Sequence, residues 1–158
     1  MRTEALLLSA VSITLLGCGP STTPPSKPAA EFLTSPVPAL RAFPFSEAVR
    51  AGDFLFLSGQ IGTASGTANL VPGGIAAESK QAMENVKAIL TRHGASLDDV
   101  VKCTAFLADM GEWGAFNDVY RTFFSKHFPA RSALGASGLA MGARVEVECV
   151  AWAPLPKP

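Results

Sequence analysis

The sequence predicts an α+β domain with the element order β-β-α-β-α-β-β, a mixed sheet and two helices on one face of that sheet. Two observations predict this class. Short apolar runs bounded by turn residues alternate with stretches whose apolar residues recur every three or four positions. The 158 residues are 48% apolar and 16% charged, which suffices for one core and is too little for two domains.

The first residues have the pattern of an export signal. An apolar run over residues 5–16 follows Arg2 and ends in Leu-Leu-Gly-Cys at Cys18. The run is too short to span a bilayer and is typical of a secretory signal. Its end resembles the lipobox of bacterial lipoproteins, in which the cysteine becomes the lipidated first residue. We expect residues 1–17 to be a signal peptide and Cys18 to hold the exported protein on the periplasmic side of a bacterial membrane. An ordinary signal peptide with a chance cysteine is the alternative.

The next segment predicts a tether. Six of the twelve prolines lie between Pro20 and Pro38, with serine and threonine among them. Such a composition buries too little apolar surface to fold and extends as a semi-rigid spacer. We therefore assign residues 18–39 to a lipidated cysteine with its tether and residues 40–154 to the folded domain.

The domain begins with two short strands and a helix. The strands flank a turn at residues 50–53, and the second covers Phe54 to Ser58. After a glycine-rich loop, residues 75–94 carry a helical stripe closed by Gly94. The stripe consists of Ala82, Met83, Val86, Ile89 and Leu90.

A third strand is predicted over Val100 to Leu107 and a second helix after Asp109. Asp109 and Glu112 have the spacing of a capping box. The aromatic residues that follow at helical spacing, Trp113 among them, are expected in the core and to extend the helix face to His127. The last two strands join through Ala140-Met141.

Those last two strands are expected to form a hairpin centred on Ala140-Met141. Paired residue numbers then sum to about 281, so that Glu146 faces Gly135 and Arg131 faces Val150. One face would hold Arg131, Ala133, Gly135, Glu146 and Glu148, and the other Leu134, Val145, Val147 and Cys149. Arg131 and Glu146 would lie four residues apart along the strands, roughly 13 Å. Such unpaired charges are expected to face a ligand, and a salt bridge through a slipped register is the alternative.

Several classes of site are disfavoured by composition. The formal net charge of +0 without a basic run gives no footprint for nucleic acid. Two histidines and three dispersed cysteines form no metal pattern, so we expect no metal. Cys103 and Cys149 are either a disulfide or buried thiols, and the sequence, which gives no distance, favours thiols.

Seven segments of the domain carry distinctive motifs. They are PFSEAV (Pro44 to Val49), FLSGQIG (Phe56 to Gly62), QAMENVKAIL (Gln81 to Leu90), GASLDDVVKCTAFLADM (Gly94 to Met110), FNDVYRTFF (Phe116 to Phe124), FPARSA (Phe128 to Ala133) and VEVECVAW (Val145 to Trp152). In this order they resemble the RidA (YjgF-type) family of reactive-intermediate deaminases. The resemblance covers nearly all of residues 40–153.

The resemblance implies a chorismate-mutase-like fold, a homotrimer with clefts between subunits, and hydrolysis of 2-imino and 2-enamino acids to 2-keto acids and ammonia. Arg131 matches the arginine that binds the substrate carboxylate, and Glu146 the acid associated with the water. The substrate-binding positions are matched by Ser58, Gly59, Phe45, Asn117, Phe128 and Ala133. The partner is a small imino acid, and no cofactor is implied.

Two positions depart from the family pattern. Phe45 stands where a tyrosine is usual, and Ala133 where a cysteine is usual. They leave room for a second hypothesis, a non-catalytic ligand-binding or interaction lipoprotein on the same scaffold. Arg131 favours the deaminase.

Overall fold

The computed structural model of the chain describes residues 29–155, which contain seven strands and two α-helices. The strands are β1 (Glu31–Leu33), β2 (Ala48–Ala51), β3 (Phe54–Leu57), β4 (Gln60–Ile61), β5 (Val100–Leu107), β6 (Ala130–Gly135) and β7 (Val145–Trp152). The helices are α1 (Gly74–Arg92) and α2 (Trp113–Tyr120).

The strands form one mixed sheet in the order β1-β2-β3-β7-β5-β6, with β4 also paired to β7. The β5–β6 pair is parallel and the other pairs are antiparallel. α1 packs on β7 and on α2, and the buried residues alternate along β7 and along residues 103–107 of β5. The predicted α+β class, with a mixed sheet and two helices on one face, is confirmed.

The apolar patterns place α1 and β5 where they were expected. All five residues of the predicted stripe, Ala82, Met83, Val86, Ile89 and Leu90, are buried. The helix ends at Arg92, and Gly94 has a φ of 76°, a left-handed conformation that glycine adopts without steric cost.

The predicted hairpin of the last two strands is wrong, because β5 lies between β6 and β7. Cys103 of β5 pairs with Arg131 of β6 on one side and with Cys149 of β7 on the other. The α2 crossover returns the chain parallel to β5, as strand–helix–strand connections do. The predicted faces change accordingly. Arg131 and Ala133 point toward the helices, whereas Leu134, Glu146 and Glu148 lie on the opposite face.

The second helix is shorter than predicted. α2 ends at Tyr120 and gives way to a 3-10 turn over Arg121–Phe123. The predicted capping box at Asp109 is absent, since the Asp109 carboxylate accepts a hydrogen bond from the Gly111 N–H at 2.8 Å. A capping box forms instead between Ser96 and Asp99.

Part of the predicted tether belongs to the sheet. Glu31–Leu33 pairs with β2, and Leu33 packs against the core. An edge strand needs only the free edge of β2 as a partner, which composition does not reveal. The predicted signal peptide (residues 1–17) and Cys18 lie outside the described residues. No helix among those described is long and apolar enough to cross a membrane.

A disulfide joins Cys103 to Cys149, so the preference for free thiols is wrong. The two residues are directly opposite on β5 and β7, with Cα atoms 4.1 Å apart, and both are buried. Their register, which the sequence does not give, brings the sulfur atoms together.

Reduction of this disulfide should destabilise the domain. The disulfide closes a loop with a sequence separation of 46. Breaking it should lower the free energy of unfolding by about 4 kcal/mol. Urea unfolding with and without dithiothreitol measures the effect. The Cys103→Ala/Cys149→Ala double variant should show no response to the reductant. An unchanged wild-type midpoint after complete reduction would contradict the prediction.

Candidate active site

A cleft surrounds Arg131 where α2 lies against the end of the sheet. We call it the arginine cleft; its volume is about 430 Å³. Its lining consists of Trp113, Asn117, Tyr120, Arg121, Phe128, Pro129 and Arg131. Three of the predicted site residues, Arg131, Asn117 and Phe128, are thus brought together here.

The Arg131 guanidinium is held in place without being neutralised. Its Nη2 donates to Asn117 Oδ1 at 2.6 Å. Its Cζ lies 4.6 Å from the ring centroid of Tyr120 and 5.2 Å from that of Phe116, within cation–π range. The ion pairs found in residues 29–155 do not include Arg131. Because a guanidinium carries five N–H donors, several remain for a ligand carboxylate.

Tyr120 forms the floor under the guanidinium. Burial raises the pKa of its hydroxyl to about 12, although the nearby Arg131 charge opposes the shift. The hydroxyl is buried and has no hydrogen-bond partner in the described part of the chain. Tyr120 is therefore neutral at physiological pH and serves Arg131 as an aromatic face, not as a base.

A second group of site residues, the carboxylate cluster, consists of Ser58, Gly59 and Glu146. A bulge creates room for it. Phe56 pairs with Val150 and Gln60 with Val147, so four steps on one strand match three on the other. A Cβ at Gly59 would lie 1.9 Å from Glu146 Oε1. Only glycine leaves the Glu146 carboxylate its present position.

Hydrogen bonds fix the backbone of the carboxylate cluster. Ser58 Oγ donates to the Ser46 carbonyl at 2.7 Å, which connects the bulge to the segment carrying Phe45. Gln60 Nε2 donates to the carbonyls of Ser58 and Gly59, both at 3.0 Å. Phe45 is exposed and stacks on Phe43 with ring centroids 5.7 Å apart.

The Glu146 carboxyl is less acidic than an ordinary glutamate. Burial raises its pKa, and repulsion from the Glu148 carboxylate raises it further. A carboxyl in this setting exchanges protons closer to neutral pH than a fully hydrated one.

The two groups lie on opposite faces of the sheet. Arg131 points toward α2, whereas Glu146 lies on the face away from the helices. Ala133 is on the Arg131 face and packs against the core. One copy of the chain therefore does not bring Arg131 and Glu146 into one cavity, contrary to the face shared in the predicted hairpin.

Four further residues line the arginine cleft and were not among the predicted site residues, namely Trp113, Tyr120, Arg121 and Pro129. The expectation that Trp113 is in the core is wrong, since it is 45% exposed. The helical spacing of the sequence could have indicated three of these residues as neighbours of Asn117. Trp113, Tyr120 and Arg121 lie four, three and four residues from Asn117, the spacing of neighbours on one helix face.

The fold described above is that of a known protein family. The model of the family described as Endoribonuclease L-PSP matches residues 37–153. The chain therefore belongs to this family, the RidA (YjgF-type) family.

Curated relatives carry the name of an activity. The chain is 42% identical over 108 residues to 2-iminobutanoate/2-iminopropanoate deaminase of Mus musculus, covering 68% of this chain and 80% of that protein. The protein of the same name from Bos taurus is 43% identical over 108 residues, with 68% and 79% covered.

Solved structures share the fold. RidA from the Antarctic bacterium Psychrobacter sp. PAMC 21119 superposes with a TM-score of 0.71 at 32% identity, covering 77% of this chain and 98% of that one. Escherichia coli TdcF with bound serine gives 0.66 at 32% identity, with 70% and 88% covered.

Neutralising Glu146 should stabilise the protein at neutral pH. Because its folded-state pKa is raised, the group contributes stability below its unfolded pKa that is lost as the pH rises through the folded pKa. Measured on dissociated single copies, Glu146→Gln should therefore melt at a higher temperature than wild type near pH 7, and the difference should vanish in acid.

Melting curves of both proteins between pH 3 and pH 8 measure this effect. Glu148→Gln is the matched variant, because it removes the second cause of the shift and should recover part of the gain. A difference in melting temperature between Glu146→Gln and wild type that does not change with pH would contradict the raised pKa of Glu146.

Proposed function

We propose that the protein hydrolyses 2-imino and 2-enamino acids to 2-keto acids and ammonia, in clefts shared between copies of a homotrimer. The observation that carries the proposal is the Arg131 guanidinium, held by Asn117 against Tyr120 with donors left for a carboxylate. The deaminase names of relatives more than 40% identical support the same reaction.

The chemistry requires few groups. The carboxylate of the imino acid accepts two N–H bonds from Arg131, a geometry that a guanidinium matches and an ammonium does not. A water oxygen bonds to C2 of the protonated imine, and the electron pair of the C=N bond passes to nitrogen. After proton transfer to nitrogen, the C–N bond breaks, its electron pair leaves with ammonia, and the C2 hydroxyl gives up its proton to solvent as the carbonyl forms. Glu146 orients the water and accepts its proton.

A neighbouring copy would supply the missing half of each site. The face carrying Glu146 is not covered by helices and exposes large aromatic side chains, with Phe54 at 43%, Phe56 at 46% and Trp152 at 51%. Covering this face with a second copy buries those rings and can bring its Glu146 to the arginine cleft of the first. Three copies close the ring.

The departures from the family pattern are compatible with this chemistry. Ala133 lacks a thiol, but β6 is the edge of the described sheet, so one side of its backbone is free to bond water or a neighbour. Phe45 keeps an aromatic surface beside the carboxylate cluster and lacks a hydroxyl.

RNA cleavage, named in the family description, has less support in this chain. Neither histidine is available as a proton shuttle in the arginine cleft. His93 Nε2 lies 3.1 Å from Glu47 Oε1 in a separate, largely buried cluster, and His127 does not line the cleft. A non-catalytic binding protein remains the alternative that the next experiment addresses.

Variants at the two proposed catalytic residues test the reaction. Arg131→Ala removes two charge-assisted hydrogen bonds of about 1.5–3 kcal/mol each, so kcat/KM should fall about 10²- to 10⁴-fold. Arg131→Lys should recover little. Glu146→Gln should lower kcat more than it raises KM. The assay follows loss of 2-iminopropanoate generated by an amino-acid oxidase from alanine.

Mixing the two inactive variants tests the shared cleft. Random reassembly of Arg131→Ala with Glu146→Gln makes about three quarters of the trimers mixed, and each holds one intact cleft of three. About a quarter of wild-type activity should return. No loss of imine with wild type would leave the binding-protein hypothesis, full activity of Arg131→Ala would refute the role of Arg131, and no recovery on mixing would overturn the shared cleft.

We also propose that the protein is exported and anchored through a lipid on Cys18. The Cys103–Cys149 disulfide supports an oxidising compartment. Cys18→Ser removes the proposed site of lipidation and should therefore move the protein from the membrane to the soluble fraction. Stable anchoring requires more than one acyl chain. Membrane fractionation and mass analysis of the N-terminal peptide measure this; identical fractionation with no lipid mass would contradict it.

A further inference from the structure

The arginine cleft contains a second guanidinium that the proposed reaction does not use. Arg121 follows the last residue of α2 and lines the cleft beside Arg131. Its Nε donates to the Asn117 carbonyl at 3.3 Å, while Arg131 Nη2 donates to Asn117 Oδ1 at 2.6 Å. One residue therefore anchors both cations, the first through its backbone and the second through its side chain.

The charge of Arg121 is only weakly compensated. Its described ionic partner is Asp118, with Nη2 and Oδ1 3.6 Å apart and the side chains 63% and 79% exposed. Exposed pairs at this distance contribute little and exchange readily with solvent or a ligand. The lining of the cleft includes no aspartate or glutamate. Two arginines thus line one cavity, and the wall that one copy supplies contains no acidic residue.

We propose that Arg121 binds a second carboxylate, so that the cleft accepts 2-imino dicarboxylates with four or five carbons. This inference rests on the proposed function, because Arg131 binds the carboxylate next to the imine carbon. The distal carboxylate then meets Arg121, and the methylene carbons between them contact the aromatic walls of Trp113 and Phe128. Substrates with a short apolar side chain make no contact with the Arg121 charge.

The direct test compares two stable 2-keto products, 2-oxopentanedioate and 2-oxobutanoate, by titration calorimetry. Wild type should bind the diacid more tightly. Arg121→Gln should weaken binding of the diacid about tenfold, the lower range for a charge-assisted hydrogen bond, and leave the monoacid unchanged. Arg121→Lys should retain most of the preference, since a single charge suffices at the distal group.

Two further variants control the electrostatic interpretation. Lys126→Gln removes an exposed cation that pairs with Asp98 outside the cleft and should leave both affinities unchanged. Asp118→Asn removes the exposed competitor of the ligand and should tighten binding of the diacid. Equal losses for both acids in Arg121→Gln, or no loss for either, would overturn the proposal.

Turnover separates this inference from the proposed function. The imines of glutamate and 2-aminobutanoate, generated by an amino-acid oxidase, should give a ratio of kcat/KM values that falls about tenfold in Arg121→Gln. If wild type hydrolyses 2-iminobutanoate and the ratio does not change, the second carboxylate site is refuted and the deaminase stands. If neither imine is hydrolysed while the calorimetric discrimination persists, the deaminase fails and the dicarboxylate site stands.

Discussion

The pairing of β5 with β6 on one edge and with β7 on the other determines the rest of the structure. It sets Arg131, Cys103 and Cys149 in one row across three strands, on the face that the helices cover. The same register turns Glu146 of β7 to the uncovered face, two strands away from Arg131 on β6. α2 can then pack over Arg131, while the uncovered face remains available to another molecule. The disulfide crosses the β5–β7 pair within this row and resists its separation.

Keeping the two charges on opposite faces preserves the reactivity of both. In one cavity of one copy, an arginine and a glutamate would form an ion pair and each would compete with the substrate. Here aromatic rings surround the guanidinium without neutralising it, and burial beside Gly59 raises the pKa of Glu146. Within one copy, the described ion pairs include neither Arg131 nor Glu146. The exposed aromatic residues of the Glu146 face form an apolar surface of the kind that marks interaction sites.

The spacing of apolar residues correctly predicted the elements whose form depends on neighbouring residues in the chain. The stripe of α1 and the bounds Val100–Leu107 of β5 follow from spacing alone, because one face of each element is buried. The motifs also identified Arg131, Asn117 and Phe128 as cleft residues. The predicted hairpin is wrong because strands that follow one another in the chain often pair antiparallel, and no residue pattern indicated that β5 would lie between β6 and β7. That strand order depends on the α2 crossover from β5 to β6. β1 and the disulfide depend on the register between distant strands, and Trp113 is exposed although its type and spacing favour burial.

The N-terminal edge strand has a consequence for how an anchored copy would meet its substrate. β1 and β6 form the two opposite edges of the sheet, five strand-to-strand steps apart, or about 24 Å at the usual spacing. A chain held through residues before β1 would leave the sheet on the side away from Arg131. The attachment point and the arginine cleft would then lie at opposite edges of the sheet, so that a tether would not cover the entrance through which small anions reach Arg131.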